Sequence, residues 1–214
     1  MPSSNGLKRG LNATLNALCW LAMEQAEAVI LAGGKSTRMG SDKARLNING
    51  EHLLRRTATE LASIGLPVTI LGGDPLPPYS HVADRTQFAG PLAALAAFVP
   101  SRKLVFVASC DMPAFSGSVA TMVLNVLAAE PRAEAAVPVV SEFRQPLCAA
   151  YRPSAFQKCK ALHESGIERL MLWLRELDVL EISETQFFAR GINLSNLQSV
   201  NTPEQLQQFL DSQQ

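Results

Sequence analysis

Short apolar runs alternate with stretches of helical periodicity along most of this chain, and that alternation restricts the fold more than any other feature. Residues 28–32, 67–71, 104–108, 134–140, 146–151 and 179–182 read as strands, and 81–83 as a shorter one. Between them Leu53, Leu54, Thr57, Ala58, Leu61 and Ala62 recur at helical spacing, with Gly65 placed to end that helix. Helices are also expected over 90–98, 118–129, 154–163 and 167–177. Thr202-Pro203-Glu204-Gln205 has the form of a capping box with proline at the first helical position, opening a terminal helix that ends near Leu210. Strands alternating with helices give an α/β class: one three-layer domain with a mostly parallel sheet covered on both faces.

Ligands bind such sheets beyond the carboxyl ends of the strands. Two features lie at such ends. After the 28–32 run come Gly33 and Gly34, then Lys35, Arg38 and Lys43 among the hydroxyls of Ser36, Thr37 and Ser41. Glycine lets a ligand approach bare backbone, amides in such a turn form an anion-binding concavity, and the cations add charge-assisted bonds. A polyphosphate cradle is the chemistry this loop fits. It is not a P-loop, because Val29 stands where that motif needs a glycine, and no G-x-G-x-x-G is present. The second feature is Asp111, directly after the 104–108 run. A carboxylate there either caps a strand–helix junction or holds Mg²⁺, which takes one or two carboxylates plus phosphate oxygens and water. Pro113 fixes the chain direction just beyond it.

Composition narrows the alternatives. With 214 residues, 47% apolar and 18% charged, the chain is globular and long enough for a sizeable core. Lysine plus arginine equals aspartate plus glutamate, so neither nucleic acid nor membrane is expected as a partner. Cys19, Cys110, Cys148 and Cys159 form no C-x-x-C pair, which argues for reduced buried thiols rather than zinc. No apolar run reaches a membrane span.

Residues 1–26 stand apart. Lys8 and Arg9 precede an apolar region in the manner of a signal peptide, but Asn12, Thr14 and Asn16 interrupt it, and a late cleavage would run into the first strand. We expect a disordered or loosely helical N-terminal extension over 1–26 and one domain over 27–214. Met23 is an alternative start, so removing residues 1–22 is expected to leave activity intact.

The stretch Leu31-Ala-Gly-Gly-Lys-Ser-Thr-Arg-Met-Gly-Ser-Asp-Lys43 closely resembles the L-A-G-G-x-S-x-R-M-G-x-D-K signature of nucleotidyltransferases. More narrowly, it is similar to that of the molybdenum cofactor guanylyltransferase family, from about Glu27 to the C-terminus. The resemblance implies a Rossmann-like fold of nucleotidyltransferase type. Cys110-Asp111-Met112-Pro113 matches the family's C-D-x-P strand end, which implies that Asp111 binds Mg²⁺ and nucleotide. Leu31, Ala32, Gly33 and Gly34 are carried over as GTP-binding, with backbone groups of the L-A-G segment on the purine. Asp84 corresponds to an acidic nucleotide-binding residue, although alone it reads as a loop residue paired with Arg85 or a cap. The 88–92 segment resembles the family's G-P-L-A stretch. Where the family often has a polar residue after the second strand, this chain has Leu71-Gly72-Gly73, whose amides are expected to substitute. Arg144 to Tyr151 resembles Q-P-L-x-A-x-Y, which puts Gln145 and Pro146 on the acceptor side; a plain strand opening on proline is the alternative. Ser199 to Pro203 resembles N-x-N-T-P with serine in the first place, leaving Asn201 as an acceptor-side candidate or a helix approach.

The activity this implies is transfer of GMP from GTP to molybdopterin with release of pyrophosphate, catalysed by Arg38, Lys43 and Asp111 in the cytoplasm by a monomer or small homo-oligomer. A recipient molybdoenzyme or its chaperone is an expected further partner. Ala32-Gly33-Gly34, Met39 and Gly90-Pro91-Leu92 favour this branch over the cytidylyl one, whose signature is L-A-A-G-x-S-x-R-F-G. A sugar-phosphate nucleotidyltransferase is the enzymatic alternative, and a nucleotide-binding module without turnover the non-enzymatic one.

Overall fold

The structure, a computed structural model, describes residues 22–32, 47–48, 50–83, 90–200 and 202–211. Strand β1 (Ala26–Leu31) is buried along its whole length at the centre of the main sheet. Its neighbours β4 (Val68–Leu71) and β6 (Leu104–Ser109) run parallel to it, and β5 (Ser80–Val82) adds in parallel beyond β4. On the other flank β9 (Cys148–Tyr151) runs against both β6 and β7 (Ala135–Val140), while β10 (Val179–Ile182) lies parallel to β7 at the edge. The order is β10-β7-β9-β6-β1-β4-β5, with β8 (Phe143–Arg144) folded back onto β7. A separate hairpin pairs β2 (Asn47–Ile48) with β3 (Glu51–His52) around Gly50, whose positive φ of 87° suits glycine.

Alternation along the strands divides the core. Ala28, Ile30, Phe106 and Ala108 pack on one face, under α1 (Leu53–Ser63), α3 (Gly117–Ala129) and α6 (Glu184–Phe188). Val29, Leu31, Val105 and Val107 pack on the other, under α2 (Gly90–Ala97), α4 (Pro153–Glu164) and α5 (Leu170–Arg175). Three layers result, as the alternation predicts. Ala22 also packs in the first cluster, so the described domain begins a few residues before β1. Helix α7 (Pro203–Asp211) opens as its capping box predicts, with Gln205 N–H donating to Thr202 Oγ1 at 3.2 Å.

The structure refines several boundaries. The strand expected over 146–151 begins only at Cys148, because Pro146 has no N–H to give a ladder and residues 145–148 turn, with Cys148 N–H on Gln145 O at 3.1 Å. The helix expected over 167–177 is the shorter α5. Helix α6 went unread, although Ser183 and Gln186 form a reciprocal capping box at its start.

Candidate active site at the carboxyl edge of the sheet

Parallel pairing brings the carboxyl ends of β1, β4, β5 and β6 to one edge. Leu31 is in register with Ser109 on β6 and with Leu71 on β4. Ala32 N–H donates to Leu71 O at 2.9 Å, so the chain leaves β1 pinned to β4. Gly73 (φ 62°) crowds that exit: a Cβ there would meet Ala32 O at 3.0 Å and Ala32 Cβ at 3.2 Å. Glycine is thus required where the turn after β4 passes the mouth of the first loop. Gly72 N–H donates to Val82 O at 2.8 Å. That corrects the expectation that both amides of the pair serve a nucleotide, since Gly72's is committed within the sheet.

Asp111 follows β6 by two residues and is half-buried. The Ser109 hydroxyl donates to its Oδ1 at 2.5 Å. Val200 N–H donates to the Asp111 carbonyl at 2.7 Å, and Asn196 Nδ2 donates to Ala114 O at 2.6 Å. The segment before α7 therefore straps the 111–114 turn, anchored by Leu197 and Val200, both 2% exposed. Asp111 also lies near Cys148: burial pushes that thiol's pKa well up, and the carboxylate charge adds to the rise.

The acceptor-side candidates reach the same edge through β9. Ser109 N–H donates to Leu147 O at 2.8 Å. Tyr151, stacked on Trp173 with ring centroids 4.6 Å apart, donates its hydroxyl to Pro146 O at 2.8 Å. Gln145 N–H is held by Pro138 O at 2.8 Å, and its Nε2 donates to Phe143 O at 3.1 Å. Gln145 and Pro146 thus sit in a braced turn one strand over from Asp111. Arg144 pairs with Glu181 at 2.6 Å behind them.

Of the residues expected at the site, Leu31, Ala32, Asp111, Gln145 and Pro146 come to one edge of the sheet. Gly33, Gly34, Arg38, Lys43, Asp84 and Asn201 lie outside the described residues. Their described neighbours Ala32, Ala83 and Val200 adjoin the same edge, through the Leu71, Val82 and Asp111 contacts above. Ser109, Leu147 and Val200 were missed; Ser109 carries a readable signal, a hydroxyl two residues before the acid, but the other two contact Asp111's strand end only through backbone atoms. Among the described residues no cluster of three or more His, Cys, Asp or Glu is arranged to hold a metal. A hard divalent cation that keeps its waters and takes phosphate oxygens needs one or two carboxylates, and Asp111 offers one at this edge.

A mostly parallel α/β sheet with Ala32 and Asp111 just beyond the carboxyl ends of β1 and β6 presents the edge at which such sheets bind ligands. The model of the MobA-like NTP transferase domain matches residues 28–179, and the chain belongs to that family, a family of enzymes that transfer nucleotidyl groups. A probable molybdenum cofactor guanylyltransferase of Peptoclostridium acidaminophilum is 29% identical over 192 residues, covering 85% of this chain and 87% of the relative. The molybdenum cofactor guanylyltransferase of Shewanella baltica (strain OS185) is 29% identical over 194 residues, covering 86% and 95%. Among solved structures, molybdopterin-guanine dinucleotide biosynthesis protein A of Archaeoglobus fulgidus superposes with a TM-score of 0.75 over 88% of this chain and 100% of that one, at 19% identity, which bears on the fold. No helix among the described residues is long and apolar enough to cross a membrane.

Proposed function

We propose that this chain transfers GMP from GTP to molybdopterin, releasing pyrophosphate. The observation that carries the reading is the meeting of Ala32, Asp111, Leu147 and Val200 at one sheet edge, in a chain whose relatives bear guanylyltransferase names. A terminal phosphate oxygen of the acceptor attacks the α-phosphorus of GTP in line; that O–P bond forms as the bond to the β-phosphate bridge breaks, and pyrophosphate leaves with the electron pair. The attacking phosphate is largely anionic at neutral pH, its second pKa being about 6, so the chain supplies no base and no covalent intermediate. Its contribution is position and charge. Arg38 and Lys43 neutralise the phosphate chain as pyrophosphate departs. Leu31, Ala32, Gly33 and Gly34 receive the nucleotide, and Asp84 also binds it. Asp111 holds Mg²⁺, which when bound supplies Lewis-acid stabilisation of phosphoryl oxygens. Gln145, Pro146 and Asn201 face the acceptor.

The domain proposed for this activity runs from Ala22, rather than from residue 27, to 214, with residues 1–21 as the extension. Because Ala22 packs in the core, the sharper truncation starts at residue 22, and it retains full activity. A cytoplasmic location fits an enzyme handling GTP and passing its product to a recipient molybdoenzyme or its chaperone.

Pyrophosphate release from GTP that depends on molybdopterin is the deciding assay. A thermal shift with Mg²⁺ and each nucleoside triphosphate is the quicker one: ligand at 100 times its Kd stabilises by about 2.7 kcal/mol, roughly 5–10 °C for a chain of this size. A shift with CTP and none with GTP overturns the guanylyl reading.

A further inference from the structure

We propose that Ser109 is a positioning residue for Asp111, its hydroxyl setting the orientation in which the carboxylate meets a divalent cation and its nucleotide. Three contacts carry this, resting on the reading of Asp111 as the metal-holding acid. The hydroxyl donates to Asp111 Oδ1, a hydrogen bond to a carboxylate oxygen. Ser109's own backbone is fixed between two strands, in register with Leu31 on one side and donating to Leu147 O at 2.8 Å on the other. The backbone of Asp111 is held separately, by Val200 N–H on its carbonyl at 2.7 Å. With both backbones fixed, the hydroxyl acts on the side-chain torsion of the acid.

Strand alternation gives that restraint a direction. Val105 and Val107 pack on the α2 face and Phe106 and Ala108 on the other, so Ser109 continues the α2 face, as does its partner Leu31. The carboxylate is thereby drawn toward the α2 face of the sheet. Packing alone does not call for serine here: the residue is half-buried at a strand end. A hydroxyl on a metal-holding carboxylate does have a use, because partners of this kind fix ligand orientation, and losing one commonly costs about 10–100-fold in metal affinity or activity.

The test is Mn²⁺ binding to the full chain with GTP and no acceptor, followed by the electron paramagnetic resonance of free Mn²⁺, with urea unfolding in parallel. Ser109→Ala is expected to weaken Mn²⁺ binding by about 10–100-fold, Ser109→Thr to keep wild-type binding, and Asp111→Asn to lose more than either. Ser109→Cys keeps the volume but donates poorly, and gives the same weakening if the alanine variant unfolds. Wild-type Mn²⁺ binding in the folded alanine and cysteine variants, with Asp111→Asn impaired, overturns the role of Ser109 and leaves the metal reading standing. Wild-type binding in Asp111→Asn itself overturns the metal reading and the role of Ser109 with it.

Discussion

The sheet carries a carboxylate at each of its two ends, and they are treated in opposite ways. At the amino end Glu27, 6% exposed on β1, receives Ser101 N–H at 2.6 Å, Ser101 Oγ at 2.9 Å and Arg102 N–H at 2.8 Å. Its charge is satisfied by the chain's own donors and serves to tie the loop before β6 to β1. Nearby, Arg152 caps the exit of α3 through Leu127 O at 2.8 Å and Glu130 O at 3.2 Å, and bonds Ala133 O at 2.8 Å. At the carboxyl end Asp111 is half-buried, with the Ser109 hydroxyl on its carboxylate and Val200 N–H on its carbonyl, at the edge where the parallel strands stop. A buried acid that the fold satisfies is there for stability. A half-buried acid at the carboxyl edge of an α/β sheet stands where such sheets bind their ligands.

Substitutions at the two ends should therefore separate activity from stability. The largest effect is expected at the carboxyl end: Asp111→Ala and Lys43→Ala each lower turnover by about 10²–10³-fold or more while leaving the urea midpoint near wild type. Wild-type turnover in either folded variant removes that residue from the mechanism. Glu27→Ala should do the reverse. It removes the carboxylate that ties the amides of the exposed residues Ser101 and Arg102 to β1, at a cost of about 1.5–3 kcal/mol for bonds to a charged group, lowering Tm by several degrees, with turnover per folded molecule unchanged at a permissive temperature. Calorimetry beside an activity assay checks both halves. Arg152→Ala removes charge-assisted bonds to helix-end carbonyls and should cost about 1.5–3 kcal/mol, again without loss of turnover.

A smaller effect comes from pH. Burial holds the thiols of Cys148 and Cys159 and the phenol of Tyr151 in their protonated forms, Cys159 being pushed up to about 12. Above the ordinary cysteine value of about 8.5, the unfolded chain releases protons that the folded chain keeps. Stability is then full below that pH and falls as pH rises toward 12. Urea midpoints that stay level from pH 8 to 10.5 would contradict the burial of these groups.

Much of this was legible in the sequence. The 28–32 and 104–108 runs reappear as β1 and β6, because a buried parallel strand is apolar on both faces. Gly33, Gly34, Lys35, Arg38 and Lys43 lie outside the described residues. The place of Asp111 at the sheet edge was readable because it directly follows an apolar run. The reversed direction of β9 was not, since an apolar run carries no sign of its direction; the short β7–β8 return settles it. The strap of Val200 on Asp111 joins residues far apart through backbone atoms, which no side-chain pattern records. Glu27 was overlooked because one charge in an apolar run gives no hint of the three donors that meet it.

Diffraction from crystals grown with Mn²⁺ and GTP tests the central claim most directly. The account predicts anomalous Mn²⁺ density bonded to an Asp111 oxygen at about 2.0–2.2 Å, with Lys43 Nζ and the Arg38 guanidinium on phosphate oxygens of that same nucleotide. Density for the metal away from Asp111, or Lys43 on the far side of the molecule from it with no shared cleft, would contradict the account.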